Sequence, residues 1–269
     1  MKGIDVSSAA ESTVDWVKLR ASGKSFAFVR ASFGTRHDPA FASYWKDMRE
    51  AGVLRGAYHF LKLKDGSVTQ AEAQAATFLD GLGRLVAGDL PPVLDIEGIE
   101  TIPAGQVVAA ARTWLATVES ALRQQTGRVI KPIIYTSRRI WRLLEEPAGF
   151  ADHPLWVADW ARAESPRCPS TWGDGQWTFH QYAGDVRGVV GVSGKADLNQ
   201  FGGLSVGASG RRVEQLKRAL VAAGVGDGLS ESVLFDDTTR ASVQRFQEHA
   251  GLTVDGIVGP FTWSRLLWA

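Results

Sequence analysis

The chain of 269 residues lacks the features that mark several classes of protein. It has one cysteine, Cys168, which excludes an intramolecular disulfide and a zinc site built from several cysteines. Cys168 lies in an irregular loop between two prolines, so we interpret it as an incidental thiol rather than a nucleophile. The five histidines show no His-x-x-x-His spacing, which disfavours a metal enzyme. We therefore expect no metal and no cofactor.

An excess of one charge and long apolar runs are also lacking. The 30 basic and 29 acidic residues leave a formal net charge of +1, so nothing indicates a nucleic-acid partner. No segment approaches the roughly 18 apolar residues of a membrane span, and residues 1–7 contain no apolar region of a signal peptide. We expect a monomer that does not insert into a membrane, is synthesised in the cytoplasm and reaches an external target only after release.

The most informative stretch that is present runs from residue 90 to residue 98, Leu-Pro-Pro-Val-Leu-Asp-Ile-Glu-Gly. Its short apolar run predicts a buried strand, and the prolines fit only the first positions of a strand, where no ladder hydrogen bond is needed. Side chains alternate along a strand, so Asp95 and Glu97 are expected to point to one face with Cα atoms roughly 6.6 Å apart. The strand therefore ends in a pair of acids.

Two carboxylates this close cannot both ionise cheaply, and burial raises the cost further, so one is expected to be protonated near neutral pH. One protonated and one ionised acid is the pair that glycosidic bond cleavage requires. The alternative interpretation is two solvated acids at the start of a loop. An isolated Asp-x-Glu would favour that alternative, because the motif is short and common. The context in the rest of the chain favours the catalytic interpretation.

Eight strand-like runs precede residue 202, and helical segments separate the early ones. Alternating β and α elements with apolar strands predict a parallel sheet covered by helices. After about residue 147 the helical pattern fades. We therefore predict the α/β class, an irregular (β/α)8-type barrel with some outer helices missing in its second half. The predicted strands are 3–6, 25–31, 55–60, 92–96, 132–136, 155–158, 177–182 and 189–198, and the predicted helices are 14–21, 39–51, 68–86 and 103–126.

In such barrels the catalytic groups project from the carboxyl ends of the strands. Four acids at strand ends converging on one mouth are costly unless they are used. Each single residue also has a structural explanation: Arg30 as a buried counter-ion, the tyrosines and Trp156 as core packing. The candidate catalytic residues are Glu97 and Asp95, and the candidate substrate-binding residues are Asp5, Arg30, Tyr58, Tyr135, Trp156, Tyr182 and Asp197.

The remainder of the chain predicts a second, smaller unit. Residues 204–210 are rich in glycine and serine, which indicates a linker after a catalytic unit of residues 1–203. Residues 211–269 contain three segments with apolar residues at helical spacing, which predicts an all-α three-helix domain. About 60 residues form only a marginally stable core alone.

The ordered motifs of the first unit resemble glycoside hydrolase family 25 lysozymes. The motifs are Gly-Ile-Asp-Val-Ser (3–7), Phe-Ala-Phe-Val-Arg-Ala-Ser (26–32), Gly-Ala-Tyr-His-Phe (56–60), Pro-Val-Leu-Asp-Ile-Glu (92–97), Leu-Trp-Val-Ala (155–158) and Asp-Leu-Asn-Gln-Phe (197–201). Residues 209–268 resemble the small helical peptidoglycan-binding domain. This second resemblance is carried by Val-Glu-Gln-Leu (213–216), Thr-Arg-Ala-Ser-Val-Gln-Arg-Phe-Gln (239–247) and Gly-Leu-Thr-Val-Asp-Gly-Ile-Val-Gly (251–259).

The resemblance implies a lysozyme that hydrolyses the β-1,4 bond between N-acetylmuramic acid and N-acetylglucosamine of peptidoglycan, with glycan strands as the partner. It implies Glu97 as general acid and base, Asp95 as its acidic partner, and Asp5, Asp197 and Tyr58 as further site residues. Asp159-Trp160 follow Ala158 where an aromatic residue commonly follows directly, so no role is assigned to Asp159.

Several functional alternatives stay open. Retention through the substrate's 2-acetamido group, direct attack by Asp95 and inversion through a water are all compatible with the spacing of the two acids. A barrel with a wall-binding module and no signal peptide indicates a phage endolysin, with a bacterial autolysin as the alternative. A non-catalytic wall-binding protein, or a hydrolase of a related polymer or wall bond, is the rival function.

Overall fold

A computed structural model of the chain describes residues 1–10, 12–63 and 67–269. The chain divides into two compact units, one formed by residues 2–200 and the other by residues 201–269 together with Met1. Among the described residues no helix combines the length and the apolar character needed to cross a bilayer.

Eight strands close into a barrel in the first unit, which confirms the predicted architecture. β1 pairs in parallel with β2 on one side and antiparallel with β9 on the other, so the sheet closes on itself. A ninth, two-residue strand, β3, extends β2 as a short antiparallel arm. The strands are β1 Lys2–Val6, β2 Lys24–Phe33, β3 Arg36–His37, β4 Leu54–Phe60, β5 Val93–Asp95, β6 Ile133–Ser137, β7 Leu155–Ala158, β8 Phe179–Arg187 and β9 Lys195–Phe201.

Aromatic side chains fill the barrel interior, so the barrel is a packed core rather than a pore. The ring of Phe28 stacks on Trp156 with centroids 4.4 Å apart, and Phe26 meets Phe179 edge to face at 5.1 Å. A Cβ on Gly56 would lie 2.3 Å from the ring of Phe28. Glycine on β4 therefore makes room for a large ring on β2.

Helices cover the barrel unevenly, as predicted. The longest, α4, buries a stripe of Val107, Trp114 and Val118 and ends at Gly127 with φ +73°, a left-handed residue that terminates helices well. Between residue 144 and residue 200 no helix occurs in this fully described segment. The barrel helices are α1 Trp16–Ala21, α2 Phe41–Glu50, α3 Val68–Leu82, α4 Ala104–Thr126 and α5 Arg138–Leu143, with a 3-10 turn at Ser8–Ala10.

The last predicted strand differs from the observed one. The run 189–198 was expected to continue the barrel, but residues 188–194 form turns and β9 begins at Lys195. Gly188 and Gly191 adopt positive φ of 74° and 84°, which ends the extended conformation. β9 then returns antiparallel to β1. The sequence also did not indicate the short helix α5.

The second unit contains three helices, as predicted: α6 Arg211–Ala222, α7 Asp237–His249 and α8 Pro260–Leu266. Their buried faces meet in one core that includes Val213, Leu220 and Val243. Residues 204–210, interpreted above as a linker, pack against this unit. Leu204 is 7% exposed in the same core and bridges with Val258, because burial of an apolar side chain outweighs the chain entropy of a glycine-rich segment.

Candidate active site

Strand β5 places two acids at the mouth of the barrel. Its prolines precede the first paired residue, and β4 and β6 flank it in parallel. Alternation continues past the end of the strand: Ile96 is fully buried on one side, while Asp95 and Glu97 line one cavity of about 180 Å³ on the other. Gly98, with φ +64°, then turns the chain away. Asp95 lies deep in the cavity and Glu97 is half-buried.

Two more acids reach the same cavity from the closing strands. Asp5 of β1 and Asp197 of β9 are direct partners in the antiparallel pair and both line the cavity with Asp95 and Glu97. Like charges directly opposite on paired strands repel. Because β9 runs in the reverse direction, Asp197 reaches the mouth from near the beginning of its strand rather than from its end.

Two buried amide side chains hold these acids in place. Nε2 of Gln181 donates to Oδ1 of Asp5 at 2.9 Å and to Oδ2 of Asp197 at 3.1 Å. Nδ2 of Asn199 donates to the same Oδ1 of Asp5 at 2.7 Å. The indole of Trp156 donates to Oδ1 of Asn199 at 2.8 Å, and an indole N–H can only donate. The tryptophan therefore fixes which face of the Asn199 amide meets Asp5.

The same logic orients Gln181. Its Oε1 accepts from the hydroxyl of Tyr135 and from the indole of Trp160, both at 2.9 Å. The amide of Gln181 therefore uses all four of its hydrogen-bonding positions. It connects the tyrosine and tryptophan on one side of the mouth to Asp5 and Asp197 on the other.

Burial and mutual repulsion keep protons on the cluster. Burial and then the facing Asp197 raise the pKa of Asp5 to about 8, against the hydrogen bonds from Asn199 and Gln181. Burial, Glu97 and Asp5 raise the pKa of Asp95 well above its usual range, while Arg30 opposes the shift. Four carboxyls in one mouth cannot all ionise, so the cluster carries transferable protons near neutral pH.

Glu97 is half-buried, and its carboxyl lacks the side-chain hydrogen bonds that Gln181 donates to Asp5 and Asp197. Burial, Asp197 and Glu100 raise the pKa of Glu97. Its carboxyl makes no hydrogen bond to any described side chain, and it borders two cavities. Asp95 has one buried carboxyl oxygen, Oδ1, without a hydrogen-bond partner among the described residues. A buried acceptor of this kind needs a donor, which a bound ligand can supply.

Three adjoining cavities form one groove across the mouth. The central cavity shares Glu97 and Tyr135 with a second cavity of about 530 Å³. On the opposite side it shares Asp5, Tyr58 and Asp197 with a third cavity of about 230 Å³. The acids therefore lie in the middle of an extended groove. An elongated ligand that spans all three cavities would pass the four acids near its middle.

The structure brings most of the predicted substrate-binding residues to this centre. Tyr58, Tyr135, Trp156 and Arg30 line the central cavity with the four acids. Trp156 is 2% exposed and its ring contacts Tyr135 at 4.7 Å between centroids, so it forms the floor. Arg30 donates through Nε to Oδ2 of Asp38 at 2.9 Å.

Tyr182 does not join them. It follows Gln181 directly on β8, and neighbouring residues of a strand point to opposite faces. The ammonium of Lys2 lies 4.1 Å above the Tyr182 ring, and Tyr182 does not line any of the three cavities.

Asp159, to which no role was assigned, forms a two-pronged ion pair. Its oxygens accept from Nε and Nη2 of Arg167, both at 2.9 Å, and these bonds lower the pKa of Asp159 to about 2.

Sequence reasoning missed the roles of Gln181 and Asn199. Alternation from Asp197 to Asn199 was the available signal for Asn199. Among the described residues no group of three or more histidine, cysteine or acidic side chains is arranged to hold a metal ion.

Two family models match the chain. Residues 4–190 match "Glycosyl hydrolases family 25", and residues 209–266 match "Putative peptidoglycan binding domain". The acid cluster and its groove therefore lie within residues covered by the first model or shortly after it.

Individual proteins are also similar to parts of this chain. Lysozyme M1 of Streptomyces globisporus is 34% identical over 210 residues, which cover 76% of this chain and 68% of that protein. The crystal structure of a bacterial lysozyme from Streptomyces coelicolor is 34% identical with a TM-score of 0.61, and the match covers 75% of this chain and 91% of that one. A zinc D-Ala-D-Ala carboxypeptidase of Streptomyces albus G is 44% identical over 66 residues, 24% of this chain and 26% of that protein.

Proposed function

The chain belongs to glycosyl hydrolase family 25 and is a lysozyme that acts on peptidoglycan, and from this premise we propose which bond it cleaves and how. The bond is the β-1,4 link from N-acetylmuramic acid to N-acetylglucosamine. Glu97 is the general acid and base, and Asp95 is its acidic partner. Asp5, Asp197, Tyr58, Tyr135, Arg30 and Trp156 hold the sugar in place.

One observation supports the proposal above all others: Glu97 and Asp95 share a cavity in the middle of a groove. A glycan strand lying along the groove passes the two acids at one of its internal bonds. The half-buried Glu97 has a raised pKa and no competing hydrogen bond among the described side chains, so it is poised to donate a proton. Position in the middle of the groove favours cleavage within the strand.

The first step of the proposed mechanism expels the leaving sugar. Glu97 donates its proton to the glycosidic oxygen as positive charge develops at the anomeric carbon. The carbonyl oxygen of the substrate's own 2-acetamido group attacks that carbon and forms a cyclic intermediate. The acetamido N–H donates to the orphaned Oδ1 of Asp95, which satisfies the buried acceptor and favours ionised Asp95 as the ring becomes cationic.

In the second step the Glu97 carboxylate takes a proton from water, and the water oxygen attacks the anomeric carbon. This attack breaks the bond between that carbon and the acetamido oxygen and so opens the cyclic intermediate. Two displacements at the same carbon retain its configuration. Product analysis by proton NMR in the first minutes of reaction tests this directly. The β-anomer is expected first, whereas the α-anomer would exclude the neighbouring group and favour an inverting water.

Kinetics on a soluble glycan test the two assignments. Glu97→Gln is expected to lower kcat by roughly a thousandfold or more with substrate binding retained, because the proton donor is lost. Asp95→Asn lowers kcat by a similar or smaller factor. Glu100→Gln is the matched control: it keeps an acid-to-amide change in the same loop but should retain turnover. A Glu97→Gln enzyme with full turnover would refute the assignment.

The control also predicts a pH shift. Protonated Glu97 is required, so kcat/KM falls as pH rises through the raised pKa of Glu97. Glu100 contributes to that raised pKa. Removal of its charge in Glu100→Gln should therefore move the alkaline limb of the profile to lower pH.

For the biological role, we propose that the protein is an endolysin that lyses a host cell after the membrane is permeabilised, and that residues 209–266 hold it on the wall. The pairing of a lytic unit with a match to a peptidoglycan-binding domain supports this role, since tethering raises the local concentration of the lytic unit. Cytoplasmic expression in bacteria with and without a membrane-permeabilising protein tests it. Lysis is expected only with permeabilisation, and lysis without it would favour export by another route.

A further inference from the structure

The largest part of the groove, the cavity of about 530 Å³ beside Glu97, carries three arginines: Arg138, Arg139 and Arg167. Two of them are neutralised within the protein. Arg139 pairs with Glu100, and Arg167 pairs with Asp159 at 2.9 Å. Arg138 has no acidic partner among the described residues, although Glu97 lines the same cavity.

The guanidinium of Arg138 is also only partly solvated. The residue is half-buried, and its Nε is buried without a hydrogen-bond acceptor in the part of the chain that the structure describes. A buried donor of this kind costs free energy until an acceptor arrives, and a charged one costs more. The planar fork of an arginine fits a carboxylate through two parallel hydrogen bonds. Arg138 therefore offers a binding position for an anion next to the proposed proton donor.

The proposed function limits which anion that can be. The two sugars of the glycan differ only at O3, where muramic acid carries a lactyl ether and glucosamine carries a hydroxyl. The ether ends in a carboxyl that is either free or joined to a peptide whose own carboxyls are free. A polymer of N-acetylglucosamine alone has no carboxylate. The anion that distinguishes muramic acid is therefore a carboxylate borne on its lactyl ether.

Resting on the proposed function, we propose that Arg138 binds this carboxylate and selects muramic acid over glucosamine in the groove beside Glu97. Arg139 and Arg167 do not compete for the anion, because each already has an acid. The selection acts on the sugar that occupies the 530 Å³ cavity, on one side of the cleaved bond. Arg138 is a specificity-determining residue and takes no part in proton transfer.

Matched glycans measure the selection. Tetrasaccharides of alternating N-acetylglucosamine and N-acetylmuramic acid are prepared in three forms: with a free lactyl carboxyl, with that carboxyl converted to a neutral methylamide, and with a short peptide that ends in free carboxyls. The readout is kcat/KM for each form, by chromatography of the products. The variants are Arg138→Gln and Arg142→Gln, the second being an exposed arginine of the same helix outside the cavity.

The wild type is expected to prefer at least one charged form over the methylamide by about tenfold or more, the value of a charge-assisted hydrogen bond in a partly buried site. Arg138→Gln should bring that ratio close to one, with Arg142→Gln keeping the wild-type ratio. The form that is preferred identifies the source of the carboxylate. A wild type without preference, an unchanged ratio in Arg138→Gln, or an equal fall in Arg142→Gln would overturn the proposal.

Failure of the proposed function gives a different result. If the enzyme is not a muramidase, the wild type generates no new reducing end on an internal muramic acid in any of the three forms. If it is a muramidase but Arg138 has no selective role, all three forms are cleaved and the ratio does not depend on Arg138. Protein folding of each variant is checked by tryptophan fluorescence, since eight of the ten tryptophans lie in residues 1–200.

Discussion

Replacement of one site acid, Asp5→Asn, is expected to stabilise the barrel in a pH-dependent way. The new amide would keep an oxygen for the donors Gln181 and Asn199, which both bond to Oδ1 of Asp5. The substitution would remove the buried carboxyl that faces Asp197 across the strand pair. It therefore deletes repulsion while it preserves hydrogen bonding.

The size of the effect follows from the proton that Asp5 holds. Its pKa is raised from 3.8 to about 8 in the folded protein, so at pH 7 the folded state keeps a proton that the unfolded chain releases. Holding that proton over about three pH units costs about 4 kcal/mol as an upper limit. Below about pH 4 Asp5 is protonated in the folded and the unfolded state, so it does not lower the free energy of unfolding. As the pH rises toward 8, the unfolded chain releases this proton more readily than the folded protein, and the free energy of unfolding falls.

Urea unfolding at about pH 4, 5.5 and 7, followed by tryptophan fluorescence, measures the effect. The gain in unfolding free energy from Asp5→Asn should be near zero at pH 4 and reach about 2–4 kcal/mol at pH 7. Asp174→Asn, in an exposed acid of the same unit, is the control and should show no such trend. A gain that does not change with pH, or a loss at pH 7, would refute the reasoning about the acid cluster.

Substitutions at three further positions test other features of the structure. Asp185 has φ +56° and donates its backbone N–H to Oδ1 of Asp197 at 2.7 Å, so Asp185→Gly should be tolerated while Asp185→Val lowers the thermal midpoint by a few degrees. Asp159→Asn should cost about 1 kcal/mol of unfolding free energy at pH 7. This cost disappears as the pH falls from about 4 through 2, because the bonds that lower the pKa of Asp159 stabilise only its ionised form. Gln247→Met removes hydrogen bonds to Asp255, Ile257 and Thr262 in the second unit and should speed hydrogen exchange in residues 201–269 but not in the barrel.

The sequence predicted those features of the fold that depend on local periodicity. Apolar runs indicated the eight strands, and helical spacing indicated the long helices and the three-helix unit. The pair Asp95 and Glu97 could be predicted to share a face because alternation along an extended segment is a local rule. The strand need not continue for the rule to apply, since Glu97 lies beyond the last residue of β5.

The sequence did not predict contacts that depend on closure of the barrel. Asp5 faces Asp197 only because β9 returns antiparallel, after a turn in which Gly188 and Gly191 adopt positive φ. The connecting role of the Gln181 amide could not be predicted, because it depends on β1, β6 and β9 lying around that side chain in the closed barrel. The same alternation rule shows that the neighbouring residues Gln181 and Tyr182 point to opposite faces of β8, so only one of them can face the mouth.

The most direct test of the central claim is the identity of the new reducing ends. Purified peptidoglycan is digested with the wild type or with Glu97→Gln, the products are reduced with borohydride, and the soluble fragments are analysed by mass spectrometry. Reduced muramic acid ends are expected with the wild type and none with Glu97→Gln. Reduced glucosamine ends, new amino termini without any reduced sugar, or muramic acid ends that persist in Glu97→Gln would contradict the central claim.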